Sequence, residues 1–201
     1  VLNISESVSS RAIGRGGDGG GVPTSTSSGT PTSASVGGNG GNGSGGLAQA
    51  IVNDFDAGTL TLVLDTSAFG GTGGDGNDGN GGRGGDARGG TSRIEAIGAD
   101  GSVLVSQANF ETSAFGGDGG SAFTDFSSRP QVAGRGGDGG SGTGGEIQIV
   151  ATDGATVGLG AVSARGGEFS STGTGGDAGR GADNPGTIRL PGPDGMLNTA
   201  D

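Results

Sequence analysis

Short apolar stretches alternate with polar residues at a period of two, and long glycine runs separate them. In "TLTLVL" (59–64) Leu60, Leu62 and Leu64 fall on one face. "SRIEAIG" (92–98) puts Ile94 and Ala96 together and turns Arg93 and Glu95 the other way, "EIQIVA" (146–151) aligns Ile147 with Ile149, and "TVGLGAV" (156–162) aligns Val157, Leu159 and Ala161. A period of two predicts half-buried β-strands. The interspersed Gly and Thr oppose helix. Each apolar stripe is too thin to be buried within its own segment, so the strands must find equivalents elsewhere in the chain.

The equivalents recur in a fixed order. "TSAFGG" stands at 66–71 and again at 112–117, "GRGGDGG" at 14–20 and 134–140, and a turn leading into an apolar strand recurs as "FDAGTLTLVL" (55–64), "ADGSVLV" (99–105), "TDGATVGLG" (152–160) and "PDGML" (193–197). Each unit reads strand, Asp/Gly turn, strand, glycine-rich excursion. The approximate units are 1–46, 47–90, 91–145 and 146–190, with a partial unit at 191–201. Stacking them so that equivalent strands pair in parallel builds a continuous core from repeats too small to fold alone. The expected fold is all-β, a single-domain parallel β-solenoid of about four coils.

The excursions keep phase modulo three. In "GGTGGDGNDGNGGRGGDARGG" (70–90) glycine occupies 70, 73, 76, 79, 82 and 85, and in "GGDGGSGTGG" (136–145) it occupies 136, 139 and 142. A flexible linker has no reason to hold such a phase. A three-residue helix of polyproline II type does, with a rise of about 3.1 Å per residue and glycine wherever a neighbouring helix comes close. Gly70, Gly73, Gly76, Gly79, Gly82, Gly85, Gly136, Gly139 and Gly142 are therefore expected to be the packing positions of polyglycine II arms projecting from one side of the solenoid. Two excursions carry tips, a Ser/Thr/Pro tip within 19–41 that includes Gly29, and one within 116–140 with Phe123 and Phe126 as contact points.

Composition narrows the function classes. Of 201 residues 54 are Gly and only 28% are hydrophobic, too little core-forming material for an ordinary globule. Cys, His, Trp and Tyr are absent and all ten basic residues are Arg, which removes thiol, imidazole, amine and phenol chemistry. A formal net charge of −11 argues against nucleic acid or an anionic membrane as partner. No apolar run approaches the roughly 20 residues that span a bilayer, so membrane insertion is not expected.

The remaining chemistry is carboxylate, hydroxyl and guanidinium. Glu95, Glu146 and Asp153 lie on or beside strands, but nothing groups them as the facing pair that glycosidic hydrolysis requires. The expectation is that the chain is not an enzyme. "GGTGGDGND" (70–78) resembles the calcium-binding nonapeptide of the RTX toxins and proteases, with Asn77 where that motif has an apolar residue and without tandem copies. Looser calcium binding by Asp75, Asp78, Asp118 and Asp138, with Asp18, Asp86 and Asp177 as further candidates, is the corresponding metal reading. No other cofactor is expected. Arg15 with Asp18, Arg83 with Asp86 and Arg135 with Asp138 are three apart, so on a three-fold helix each pair shares a face.

At the level of the repeat, the paired strands of "EIQIVATDGATVGLGAVSARGG" (146–167) and the GGDGG-type inserts resemble the passenger regions of filamentous-haemagglutinin-like adhesins and autotransporters. That resemblance implies an extracellular or cell-surface β-solenoid of structural or adhesive function, with a surface or carbohydrate receptor as partner. The arms are similar to the polyglycine II bundles of springtail-type ice-binding proteins, without their cysteines, and ice or calcium binding is the alternative function. The chain opens on "VLNIS" and closes on "PDGMLNTAD", equivalent points of the repeat, which predicts self-association end to end into a filament.

Overall fold

The structure, a computed structural model, describes residues 7–21, 35–53, 56–77, 79–98, 102–123, 134–166, 168–169 and 187–189. The "VLNIS" and "PDGML" segments, Gly29, Asp78, Phe126 and Asp177 lie outside the described residues. Within them every regular element is a strand, and the chain winds in successive circuits. The first runs β1 (Ser7–Arg11), β2 (Gly14–Arg15), β3 (Gly43–Ser44) and β4 (Leu47–Asn53). The next runs β5 (Asp56–Asp65), β6 (Ala68–Phe69), β7 (Gly76–Asn77), β8 (Ala87–Arg88) and β9 (Thr91–Ile97). Then follow β10 (Ser102–Glu111), β11 (Ala114–Phe115), β12 (Ala122–Phe123), β13 (Gly142–Thr143) and β14 (Glu146–Thr152), and lastly β15 (Thr156–Arg165), β16 (Glu168–Phe169) and β17 (Thr187–Arg189).

Every pairing is parallel and joins equivalent positions of successive circuits. One long sheet has the order β1-β5-β10-β15 and the other β17-β14-β9-β4, with smaller sheets β16-β11-β6-β2, β13-β8-β3 and β12-β7 alongside. Leu47 pairs with Thr91 and Thr91 with Glu146, so these three strands stack in one register. The result is a solenoid-like stack of parallel sheets.

The two long sheets face each other across one thin core. Leu62, Leu64, Val103, Val105, Ala108 and Phe110 from the first sheet meet Ala48, Ile94, Ala96, Ile147 and Ile149 from the second. These are largely the residues the alternation picks out, with Arg93 and Glu95 on the outer surface. One alignment differs. The β5–β10 register shifts between Val103 and Val105 and again between Val105 and Gln107, so the inward positions of β10 run 103, 105, 108, 110. Strand β15 follows β10, and Ala161 pairs with exposed Gln107 while Val162 pairs with buried Ala108. Ala161 therefore leaves the face of Val157 and Leu159, because a β-bulge reverses the parity of every residue beyond it.

The corners are built locally. At "TDGA" the Ala155 N–H donates to the Thr152 carbonyl at 3.0 Å, and both central residues have positive φ, Asp153 at 53° and Gly154 at 85°. Asp–Gly suits that turn because Gly has no Cβ and Asp tolerates the left-handed region. At the opposite corner the Asp65 carboxylate accepts the Ser67 N–H at 3.1 Å and its hydroxyl at 2.6 Å, and Glu111 accepts from Ser113 in the equivalent place. Buried Thr66 shares a hydroxyl contact with Ser92 at 3.4 Å.

Candidate functional site

The repeated "TSAFGG" is where the sheets hand over to the arms. Ala68, Ala87 and Ala114 form a small buried cluster at the junction. On the outside, Phe69 and Phe115 stack with centroids 5.1 Å apart and planes 9° apart, and Arg15 lies 5.3 Å over the Phe69 ring. Parallel stacking of identical circuits places identical residues over one another, so one Phe per repeat becomes an aromatic ladder.

Beyond the junction the excursions form two layers, the outgoing arms 14–21, 68–77 and 114–123 and the returning arms 35–46, 79–90 and 134–145. Each triplet reads Gly, Gly, then a residue that is usually polar, and its three N–H groups go in different directions. The first glycine donates to the equivalent arm of the next circuit: Gly70 to the Phe115 carbonyl at 2.8 Å, Gly73 to Asp118 at 2.8 Å, Gly76 to Ser121 at 2.9 Å and Gly84 to Asp138 at 2.9 Å.

The second glycine donates to the opposite layer. Gly140 donates to Gly117, Gly117 to Gly85, Gly85 to Gly71, Gly71 to Gly41 and Gly41 to Gly17, all within 2.6–2.9 Å. A second relay runs from Gly137 through Gly120, Gly82, Gly74 and Gly38 to Gly20, within 2.7–2.9 Å. Two unbroken hydrogen-bond relays thus cross all six arms. They leave the backbone of a nearly coreless region satisfied, as burial demands.

The third, polar residue turns its N–H to a side chain. Asp18 Oδ1 accepts from Thr72 at 2.9 Å, Asn39 from Arg83 at 2.9 Å, Asn42 from Asp86 at 2.9 Å, Asp75 from Ser121 at 2.8 Å, Asn80 from Arg135 at 2.9 Å and Asp86 from Ser141 at 2.8 Å. The recurrence of Asp and Asn at this place follows from that need for a short side chain ending in an acceptor. Sequence reasoning missed this role, although Asp or Asn at every third position was its visible trace.

Both glycine ranks are sterically closed inside the lattice, whereas Gly17 and Gly20 of the first arm stand open. A Cβ on Gly70, Gly73 or Gly84 would stand on a carbonyl of the opposite layer, and one on Gly82, Gly85, Gly117 or Gly120 would stand on a carbonyl of the adjacent arm in its own layer. Gly76 is closed by Asn80 and Gly79 by Ser35. Gly139 is buried, Gly136 half-buried, and Gly142 pairs with Ala87 in β13. Of the tips, Phe123 ends β12 opposite Asn77.

The acidic candidates are distributed through this lattice. Asp75 is occupied by the Ser121 N–H, Asp118 and Asp138 are exposed one circuit further on, and no three potential metal-ligating side chains come together among the described residues. Arg83 and Asp86 form the i,i+3 pair expected, bidentate at 2.6 and 3.2 Å. Arg15 and Asp18 engage Phe69 and Thr72 instead.

The ladder makes a pH prediction. The Thr72 N–H and hydroxyl hold Asp18 below the usual carboxylate range. At Asp86 burial pushes upward, but the Ser141 N–H, Arg83 and the Ser141 hydroxyl outweigh it and bring the carboxyl down. A pKa lower in the folded than in the unfolded state contributes stability above the unfolded value, lost as pH falls through the folded one. The melting temperature should hold from pH 7 to about 5 and fall below about 4. Relief of the −11 net charge acts the other way, so Asp18→Asn, which keeps an acceptor at every pH, separates the two effects. Circular dichroism melts from pH 2 to 7 should show a shallower acid loss in the variant. An identical profile in both proteins removes Asp18 from the account.

The fold and its arms define a parallel β-stack carrying a two-layer glycine lattice. No protein-family model, curated protein or solved structure matches this chain.

Proposed function

We propose that the chain is an extracellular structural or adhesive repeat protein with no catalytic step, a right-handed β-solenoid of about four coils whose arms are polyglycine II helices. The observation that carries this reading is the pair of relays ending at Gly17 and Gly20, which bond antiparallel neighbours through glycine alone, beside the first-glycine bonds that join parallel arms. The closed glycine positions support it further. Where a Cβ would strike a carbonyl, the Cα–H in its place points at that oxygen, the second bond type of polyglycine II packing. The glycine N–H groups of the relays and the Asp and Asn acceptors facing them are spent in holding the lattice together, which suits a building element better than a reaction site.

End-to-end association fits the core as well. In the row Val8, Leu62, Ala108, Val162 the inner two residues are buried, while Val8 and Val162 are 41% and 48% exposed. Another stack of matching register would cover them. Light scattering and electron microscopy over a concentration series are expected to show rods that lengthen with concentration. A strictly monomeric particle at all concentrations overturns the filament. Calcium titration and thermal hysteresis are expected to show neither a calcium-dependent melting shift nor ice shaping, and either effect would favour the ligand-binding reading.

A further inference from the structure

Where the returning arms meet the outer surface of the β4-β9-β14 sheet, the two surfaces form a cleft of about 600 Å³. It is lined by the glycine pairs Gly45–Gly46 and Gly89–Gly90, by Ser44 and Arg88 from the arms, and by Leu47, Gln49, Thr91, Arg93, Glu95 and Gln148 from the sheet. These glycines have no donors to spare. Gly45 donates to Arg88, Gly46 to Ala12, Gly89 to Thr143 and Gly90 to Thr66, each at 2.8 Å. Donors for recognition in this cleft come from the lining side chains.

Their commitments are unequal. Arg93 is spent, with two nitrogens on the Glu95 carboxylate at 2.7 and 3.2 Å and a third on Gln148 Oε1 at 3.1 Å. That contact fixes the Gln148 amide and leaves its NH₂ as a donor. The Arg88 guanidinium is exposed and makes no hydrogen bond or ion pair among the described residues. Arg88 and Arg93 against Glu95 leave the cleft one positive charge in excess, on a chain of net charge −11. No lining residue is aromatic, so a ligand is held by hydrogen bonds and charge and not by stacking.

We infer that this cleft binds an oligosaccharide bearing carboxylates, with the Arg88 guanidinium forking onto a carboxylate and the amides of Gln49 and Gln148 and the Thr91 hydroxyl reading sugar hydroxyls. Arginine's planar pair of donors matches a carboxylate bidentately. The inference names the receptor chemistry for the adhesive reading above and rests on that reading for the choice of a glycan. It is independent of whether the protein forms filaments.

The test is titration of the full chain with a galacturonic acid trisaccharide, followed by the amide resonances of Gly45, Gly46, Gly89 and Gly90, with maltotriose and acetate as comparison ligands. The expected result is a saturable shift with the acidic trisaccharide below about 10 mM, weakened about tenfold or more in Arg88→Ala. Arg88→Lys, which keeps the charge without the fork, should fall between, and Gln49→Ala should weaken binding by roughly threefold. Both side chains are exposed, so the variants should melt as the parent does. No saturable shift, equal binding of maltotriose, equal binding of acetate, or undiminished binding by Arg88→Ala would each overturn the inference. A monomeric protein that binds the trisaccharide would instead leave it standing and remove only the filament.

Discussion

Gly85→Ala should be among the most destabilising single substitutions in this protein, while Gly17→Ala, the same change at an equivalent rank of the lattice, should be nearly silent. Gly85 donates to Gly71 and accepts from Gly117, and a Cβ there would stand on the Gly41 carbonyl. The obstacle is backbone and not the end of a flexible side chain, so relief requires parting two arms and breaking a relay. We expect a loss of about 3 kcal/mol or more, above the typical effect of a point mutation, and a melting temperature lower by about 10 °C in a chain of this size. Gly17 has nothing within 4 Å of the Cβ position, and the same holds for Gly20. Alanine at those places should change melting by about 2 °C or less, with a small gain available from reduced freedom of the unfolded chain. Gly82→Ala and Gly120→Ala should behave as Gly85→Ala does. Equal melting of Gly85→Ala and Gly17→Ala would mean that the arms are loops and that the triplet phase has no packing role.

The strand system was legible because alternation and repeat length are local properties. Ile94 with Ala96 and Ile147 with Ile149 could be read directly, and Leu47, Thr91 and Glu146 pair in one register. The parity break near Ser106 was not legible, because a bulge is a relation between two strands and leaves no mark in either composition. Hence Ala161 was aligned inward where Val162 belongs. The triplet phase pointed to close glycine packing but to one rank of it, whereas the fold closes two, since each arm touches both its own layer and the other. Acidic residues in glycine-rich triplets suggest metal binding at Asp75, Asp78, Asp118 and Asp138, of which Asp78 lies outside the described residues. What the structure puts on Asp75 is the Ser121 N–H, from an arm 46 residues away, a contact no local pattern reveals.

The second large effect belongs to the core. Phe110 is the bulkiest residue of the inward row Ser10, Leu64, Phe110, Ala164 and is 2% exposed. Its row neighbour toward β15 is an alanine, so nothing beside it can swell to fill a void. Phe110→Ala should therefore cost the full transfer and cavity penalty of about 3–5 kcal/mol. Against a typical stability of about 5–15 kcal/mol, that is a large fraction of what holds the chain folded. Val162→Ala, at a position 48% exposed, should cost about 1 kcal/mol or less. The arms make the experiment more informative than a melt alone. Strand β11 begins at Ala114, just beyond Phe110, and its arm enters the relays at Gly117 and Gly120. If sheets and lattice are one cooperative unit, Phe110→Ala should reduce hydrogen-exchange protection at Gly117 and Gly120 by the same free energy as at Val105 and Ala108. Arm amides that keep parental protection while the core amides lose theirs would show that the glycine lattice stands on its own hydrogen bonds.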